Sequence, residues 1–197
     1  AKAMPYDGIF GYQFNMDFHP TRRKFRDDDP AKPWQGKFFG TRDWNSHSDR
    51  TMLPLRSLVP VKMNGLLGCS KNIGYSSVVS SAVRLHGHMM HVGQAVGTAA
   101  WLCLRDATQP RDLARDWARV RELQTRLLRG AGGPGVLLWP FHDLAPDDLH
   151  FEAANQLAVR GIWQADANSL DFNPWQNVTR RELARALYRL KLSLAET

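Results

Sequence analysis

At 197 residues and 43% hydrophobic content, the chain is long enough for one or two folded domains and too apolar for wholesale disorder. Its 26 Lys and Arg against 19 Asp and Glu give a net charge of +7, which permits contact with nucleic acid, an anionic membrane or an acidic polymer and demonstrates none of them. Two cysteines, Cys69 and Cys103, exclude a disulfide framework and a Cys-rich zinc site.

Residues 1–50 are aromatic, polar and punctuated by Asp7-Gly8, His19-Pro20, Asp29-Pro30 and Lys32-Pro33. Ile9 to Phe14 and Lys37-Phe38-Phe39 read as short strands. The segment as a whole reads as an extended arm that packs Trp34, Phe38, Phe39 and Trp44 on a larger body. Arg22-Arg23-Lys24-Phe25-Arg26, followed by Asp27-Asp28-Asp29, mixes signs and reads as a solvated loop, not a nucleic-acid site. The amino end carries no charged-then-apolar signal pattern and no initiator Met, so a processed chain or a fragment is expected. Arg56, set among apolar neighbours, is expected to find an ion-pair partner or an anionic ligand group.

Gly65-Leu66-Leu67-Gly68-Cys69 is an apolar run of strand length. A Ser- and Gly-rich loop follows, then a helix of small residues in which Gly93, Gly97 and Ala100 share a face. Each glycine costs that helix about 1 kcal/mol relative to alanine. Two of them one turn apart predict the close approach of another backbone or a flat ligand. A strand, a polar loop and a helix start in this order commonly hold a phosphate or another electron-rich group. The stretch 92–104 is the most apolar, but it is too short for a membrane span and contains Gln94 and Thr98.

From Asp112 to Arg129 the periodicity predicts one helix with Leu113, Trp117, Val120, Leu123, Leu127 and Leu128 on its apolar stripe. Its arginines alternate with Asp112, Asp116 and Glu122 at ion-pair intervals. Gly130-Ala131-Gly132-Gly133-Pro134-Gly135 formally satisfies G-x-G-x-x-G. A helix precedes it and an apolar run follows, however, so it lacks the dinucleotide context and reads as a linker. Asp147 to Arg160 reads as a helix with Phe151, Ala154, Leu157 and Ala158 inward and Gly161 as its stop. Thr179 and Glu182 form a capping box ahead of a last helix with Leu183, Leu187, Leu190 and Leu194 on one face.

The ordered series LLGCSKNIG, SSAVRLHG and GQAVGTAA resembles the carboxy-terminal part of FAD-dependent oxidoreductases of the glutathione-reductase-like superfamily. There a strand ending in Ala-Gly-Lys or Ala-Gly-Arg leads through a Ser- and Arg-containing loop to a Gly-Gln-Ala-x-Gly-Thr-Ala-Ala helix. The likeness covers residues 51–104, including Pro54 to Pro60, and departs at Cys69-Ser70, which stand where the family has Ala-Gly. It implies FAD as cofactor, with the loop along the ribityl and phosphate region and the helix start, Gly87 to Met90, at the N1/C2 edge of the isoalloxazine. A helix amino end stabilises negative charge there by about 0.3–2 kcal/mol. In this reading Ser70, Lys71 and Asn72 donate to the ribityl hydroxyls or a phosphate, and Arg84 meets a substrate carboxylate or the flavin. His88, Met89 and Gly93 lie at the ring. His86 and His88 are the candidate catalytic groups, as proton donor or acceptor beside the hydride-transfer position. The alternative for both is a helix cap or a hydrogen-bonded core histidine. With His91 they stand at spacings of two, three and five, which offer no HExxH-like pair, so no metal site is expected.

Residues 139–197 resemble a single S-layer homology repeat, through F-x-D at Phe141, the helix ending at Gly161-Ile162, Phe-x-Pro at Phe172 and T-R-x-E at Thr179. This implies a cell-wall polymer as a possible partner, with Arg180 a possible glycan contact and an ion pair as its alternative. It also implies a cell-envelope, periplasmic or extracellular location if the module is functional, and a cytoplasmic one otherwise. The expected fold is therefore α/β or α+β, the C-terminal part of an FAD-binding Rossmann-like oxidoreductase, followed by a small helical S-layer-homology-like module. The divisions are a 1–50 arm, 51–130 flavin part, 131–138 linker and 139–197 module. The Gly-rich βαβ unit that such an enzyme needs for the pyrophosphate is not in this sequence. A second polypeptide, or the front of a cleaved precursor, is expected to supply it, and the substrate is a small molecule. The competing reading is a cell-envelope binding or structural subunit with a degenerate flavin-type segment.

Overall fold

A computed structural model describes residues 5–14, 51–130, 135–136, 138–139, 141–163 and 171–195. The expected strand at Lys37-Phe38-Phe39, the mixed-charge cluster 22–29, Trp34 and Trp44, and most of the linker and of the 166–174 loop lie outside them. Strand β1 (Gly8–Tyr12) pairs antiparallel with β2 (Thr51–Pro54). The register runs Phe10 to Leu53, Gly11 to Met52 and Tyr12 to Thr51, with an irregularity between Gly8 and Phe10. Pro54 ends the ladder, where its missing N–H removes no bond. Ile9, Phe10 and Tyr12 are all buried, so the front of the expected arm is core rather than appendage.

A 3₁₀ turn, Leu55–Leu58, leads through a long loop to α1 (Ser77–Val83) and α2 (His86–Arg105). The main core joins Phe10, Leu53, Leu58, Val92, Leu102 and Leu123. The single helix expected over 112–129 is instead two, α3 (Pro110–Arg115) and α4 (Trp117–Arg129). Asp116 separates them because its extended backbone lets the carboxylate accept from the N–H groups of Ala118 (2.9 Å) and Arg119 (3.2 Å), an N-cap. Buried Gln124 on α4 donates Nε2 to the carbonyls of Tyr6 (2.9 Å) and Gly8 (3.1 Å), serving the free edge of β1. Gly130 closes α4 at φ +60, and the N–H of Val136 returns to the Leu127 carbonyl at 2.8 Å.

A smaller core forms around α5 (Phe151–Val159), with Leu138, Phe141 and Leu144. This helix is shorter than the sequence predicts, because Asp148 turns the chain by accepting from the N–H of His150 at 2.7 Å. Buried Asn155 accepts from the Trp139 N–H at 2.7 Å and donates to the Phe151 carbonyl at 3.0 Å. The Asp143 carboxylate takes the N–H groups of Phe172 (2.7 Å) and Asn173 (2.6 Å). The last helix, α6 (Arg180–Ala195), begins on the expected capping box. The Glu182 carboxylate accepts from the Thr179 N–H (2.8 Å) and hydroxyl (2.7 Å), and the Thr179 hydroxyl accepts from the Glu182 N–H (3.2 Å). Its leucine face is largely exposed. Leu183, Leu187 and Leu194 are between 51 and 57% exposed, and the first two border an open groove.

A second correction concerns Gly65-Leu66-Leu67-Gly68-Cys69, which is not a strand and is largely exposed. Its link to the 3₁₀ turn is the single bond from Gly68 N–H to Leu58 O (2.6 Å), with Gly74 N–H to Ser57 O (2.7 Å) following beyond the run, so no ladder forms. Among the described residues the sheet is the two-stranded antiparallel one, and the architecture is mixed and helix-rich.

The expected ion-pair face of the helices is a network. Arg105 and Arg126 both hold Glu122, at 2.8 Å (Nη2–Oε2) and 2.9 Å (Nε–Oε1), and stack on Trp101 at 5.1 and 4.4 Å. The Arg105 guanidinium, and then that of Arg126, hold the Glu122 carboxyl down at about 2 against an ordinary 4.5. A carboxyl lowered by folding contributes its full stabilisation above its unfolded value and loses it as the pH falls through its folded one. Urea unfolding is therefore expected to show a loss of about 1 kcal/mol between about pH 4.5 and 2, reduced from the full linkage value because the pair is partly solvated. Glu122→Gln should flatten that slope, and an unchanged slope would remove Glu122 from the account.

Candidate functional site

The site is built from the 68–74 loop and the α1–α2 junction. The loop turns tightly, the Asn72 N–H meeting the Cys69 carbonyl at 3.2 Å. A Cβ on Gly68 would stand 2.5 Å from the Asn72 carbonyl oxygen, so this close approach requires glycine. Ser70 sits at φ +54, in the left-handed region, which costs an L-residue roughly 1–2 kcal/mol. It is one of the two positions where the family resemblance has Ala-Gly. The turn thus leaves Ser70, Lys71 and Asn72 side by side and exposed.

Arg84 caps α1, its N–H meeting the Ser80 carbonyl at 3.2 Å, and its side chain is half-buried. Two residues on, α2 starts at His86. Its N-cap is Leu85, which has no side chain able to accept, so the first turn has no side-chain cap. His86 and Gly87 are exposed, and a Cβ at Gly87 would have nothing within 4 Å.

His88 is half-buried against β1, its ring centroid 5.5 Å from Tyr12, 6.0 Å from Phe10 and 6.4 Å from Phe14. Its Nδ1 lies 3.3 Å from the Val83 carbonyl oxygen. A carbonyl only accepts, so Nδ1 carries the hydrogen and Nε2 keeps its lone pair. Burial first, and then the charge of His91, push the His88 pKa below the usual imidazole range, against the Val83 hydrogen bond that raises it. His88 is thus the half-buried, hydrogen-bonded histidine, and His86 is solvent-facing. Met89 is turned into the main core with its N–H on the Leu85 carbonyl at 3.0 Å, while Met90 is 72% exposed.

Gly93 and Gly97 leave the outer face of α2 open, since a Cβ at either meets nothing within 4 Å. The close neighbour expected at this face is not among the described residues. Sequence reasoning did not find the Asp7 partner of Arg56, at 2.7 Å, or the aromatic strand behind His88. The alternating aromatics of Phe10, Tyr12 and Phe14 were the available signal for the latter. No group of three His, Cys, Asp or Glu side chains among the described residues is placed to hold a metal ion. No helix among them is long and apolar enough to cross a membrane.

An uncapped helix start and a glycine-tight polar loop are each arrangements able to hold an anionic group. Residues 2–127, more than half of the chain, match the FAD dependent oxidoreductase family, and the chain belongs to that family. Its cofactor is FAD. No curated protein and no solved structure matches it. The residues present fit a flavin: the first turn of α2 lacks a side-chain acceptor, its outer face is open, and the loop at Gly68 admits no side chain.

Proposed function

We propose that this chain forms the flavin-facing back portion of an FAD-dependent oxidoreductase of the glutathione-reductase-like superfamily. The observation that carries the reading is α2, with a first turn that no described side chain caps and an outer face of glycines that no described residue approaches. In this reading the first turn of α2 supports the N1/C2 edge of the isoalloxazine, and Ser70, Lys71 and Asn72 donate to the ribityl hydroxyls and phosphate. Arg84 supplies a guanidinium for a substrate carboxylate or the flavin. The ring packs on the small face at Gly93, with Met89 supporting the helix from the core side. His88 holds or accepts a proton at Nε2, and His86 serves as its solvent-side exchange partner. When bound, the flavin supplies two-electron hydride chemistry toward a small-molecule substrate. The Rossmann-like nucleotide-binding half comes from chain outside these 197 residues, in the same precursor or in a second polypeptide.

The purified native complex is expected to show bound-flavin absorption in the visible, together with the chain that carries the Gly-rich turn. Gly93→Ala should stabilise the isolated helix by about 1 kcal/mol yet lower flavin content, because its methyl occupies the ring's place. Lys71→Ala and Arg84→Ala should also lose flavin. A colourless complex that pellets with cell-wall sacculi overturns this reading. It would favour the second one, a cell-envelope binding subunit whose 139–197 module resembles an S-layer homology repeat, with Arg180 as a glycan contact. What supports that second reading is the clip between Asp143 and the amides of Phe172 and Asn173, which joins two of the repeat's motif positions.

A further inference from the structure

The arginines of the helical face, Arg105, Arg119, Arg126 and Arg129, each meet a carboxylate. Two arginines elsewhere, Arg160 and Arg189, do not among the described residues. Between Tyr6 and Trp117 on one wall and α6 on the other lies an open cleft of about 700 Å³, lined by Arg56, Arg160, Arg189 and Ser193 and, among the described residues, by no Asp or Glu. Arg56 is answered by buried Asp7. Among the described residues neither Arg160 nor Arg189 has a carboxylate within ion-pair distance.

Arg160 is the more telling of the two. One of its terminal nitrogens donates to Gln156 Oε1 at 2.8 Å, but its Nε is buried with no hydrogen-bond partner. Burial, and then the charge of Arg121, push its pKa down. Buried charges in folded proteins are ordinarily paired, and an under-paired one is costly. An anion in the cleft that Arg160 lines would offset part of that cost through the guanidinium charge, without reaching Nε.

We propose that this cleft binds a small organic phosphate monoester, with the dianion between Arg160 and Arg189 and the organic body against Tyr6 and Trp117. Two unmatched guanidinium groups call for two negative charges, and a phosphate monoester carries both on one group near neutral pH. The guanidinium fork matches phosphate oxygens in pairs. Tyr6 and Trp117, with ring centroids 4.8 Å apart, give the body an apolar wall. A concave cleft of this size suits a small molecule better than a polymer backbone or a lipid surface. Arg160 and Arg189 lie beyond residues 2–127, whereas the aromatic wall of Tyr6 and Trp117 lies within them.

Calorimetric titration of the full chain with phenyl phosphate tests this. Saturable binding is expected, tighter than for inorganic phosphate, benzoate or benzyl alcohol. Arg160→Gln and Arg189→Gln should each weaken it by about tenfold or more. Without ligand, Arg160→Gln should melt no lower than the parent, because it removes an under-paired charge. Phenyl phosphate should raise the melting temperature of the parent and not of that variant. Absent binding, binding unchanged in either variant, or benzoate binding as tightly as phenyl phosphate would overturn the proposal. A ligand-free Arg160→Gln that is markedly destabilised would do the same, by showing the arginine to be structural.

Discussion

Asp7→Ala is expected to destabilise the chain by about 3 kcal/mol, read as a lower urea midpoint at unchanged slope. Asp7 is fully buried, and one side chain there does two jobs. Its Oδ1 accepts from the Arg56 guanidinium at 2.7 Å and its Oδ2 from the Arg56 backbone N–H at 2.9 Å. Its own carbonyl takes the Leu55 N–H at 2.7 Å. Together these bonds hold the start of β1 on the 3₁₀ turn, across 49 residues of sequence. The Arg56 side chain is 57% exposed, so its charge stays hydrated without a partner and is not the main loss. The main loss is the backbone N–H left without an acceptor, about 1–3 kcal/mol, together with the void where the carboxylate was. Asp7→Asn keeps one acceptor and turns an amide donor toward Arg56, so it should fall between Ala and the parent. A cost under about 0.5 kcal/mol for Asp7→Ala, the level of an ordinary surface change, would show that the pair does not anchor the strand.

That pairing was illegible in the sequence because nothing local announces a contact across such a separation. The elements that were legible had local causes. The helical spacing of Gly93, Gly97 and Ala100 announces α2, and the box of Thr179 and Glu182 announces α6. What failed depended on neighbours. Gly65 to Cys69 has the composition of a buried strand, but composition does not supply a second strand to pair with, and here the run lies on the surface. The stripe from Leu113 to Leu128 keeps its period through Asp116, so a cap in mid-stripe was indistinguishable from a solvated carboxylate until its backbone was seen to be extended. The leucines of α6 likewise declare an amphipathic helix without declaring what covers it. At the candidate site, the order of loop, Arg84 and helix start could be read directly. The fixing of His88 could not, since it comes from the Val83 carbonyl and the aromatic side of β1. Gln124 and Asn155 carried a usable signal, an amide side chain on an otherwise apolar helix face. Both prove to be buried and to bind backbone that no ladder serves.

Gly68→Ala is the corresponding prediction for the loop, with an expected cost of about 2 kcal/mol and loss of flavin from the native complex. The added Cβ would meet the Asn72 carbonyl oxygen at 2.5 Å, with the Leu58 carbonyl oxygen and Ile73 Cγ2 each at 3.4 Å. The nearest obstacle is backbone and cannot rotate away. The turn must open, and it is pinned at both ends, by Gly68 N–H to Leu58 O at 2.6 Å and Gly74 N–H to Ser57 O at 2.7 Å. Losing or stretching both bonds gives the estimate, at about 1 kcal/mol each. The same movement displaces Ser70, Lys71 and Asn72 together, so flavin content should fall more steeply than stability does. Gly93→Ala is the useful contrast, since its methyl meets no atom of the described residues within 4 Å. Melting curves and flavin content measured on both variants separate the two effects: Gly68→Ala should lose on both counts, and Gly93→Ala on flavin alone. If Gly68→Ala melts like the parent, the turn is not held as tightly as its two bonds require. If it melts lower yet keeps its flavin, the polar triad of the loop does not touch the cofactor.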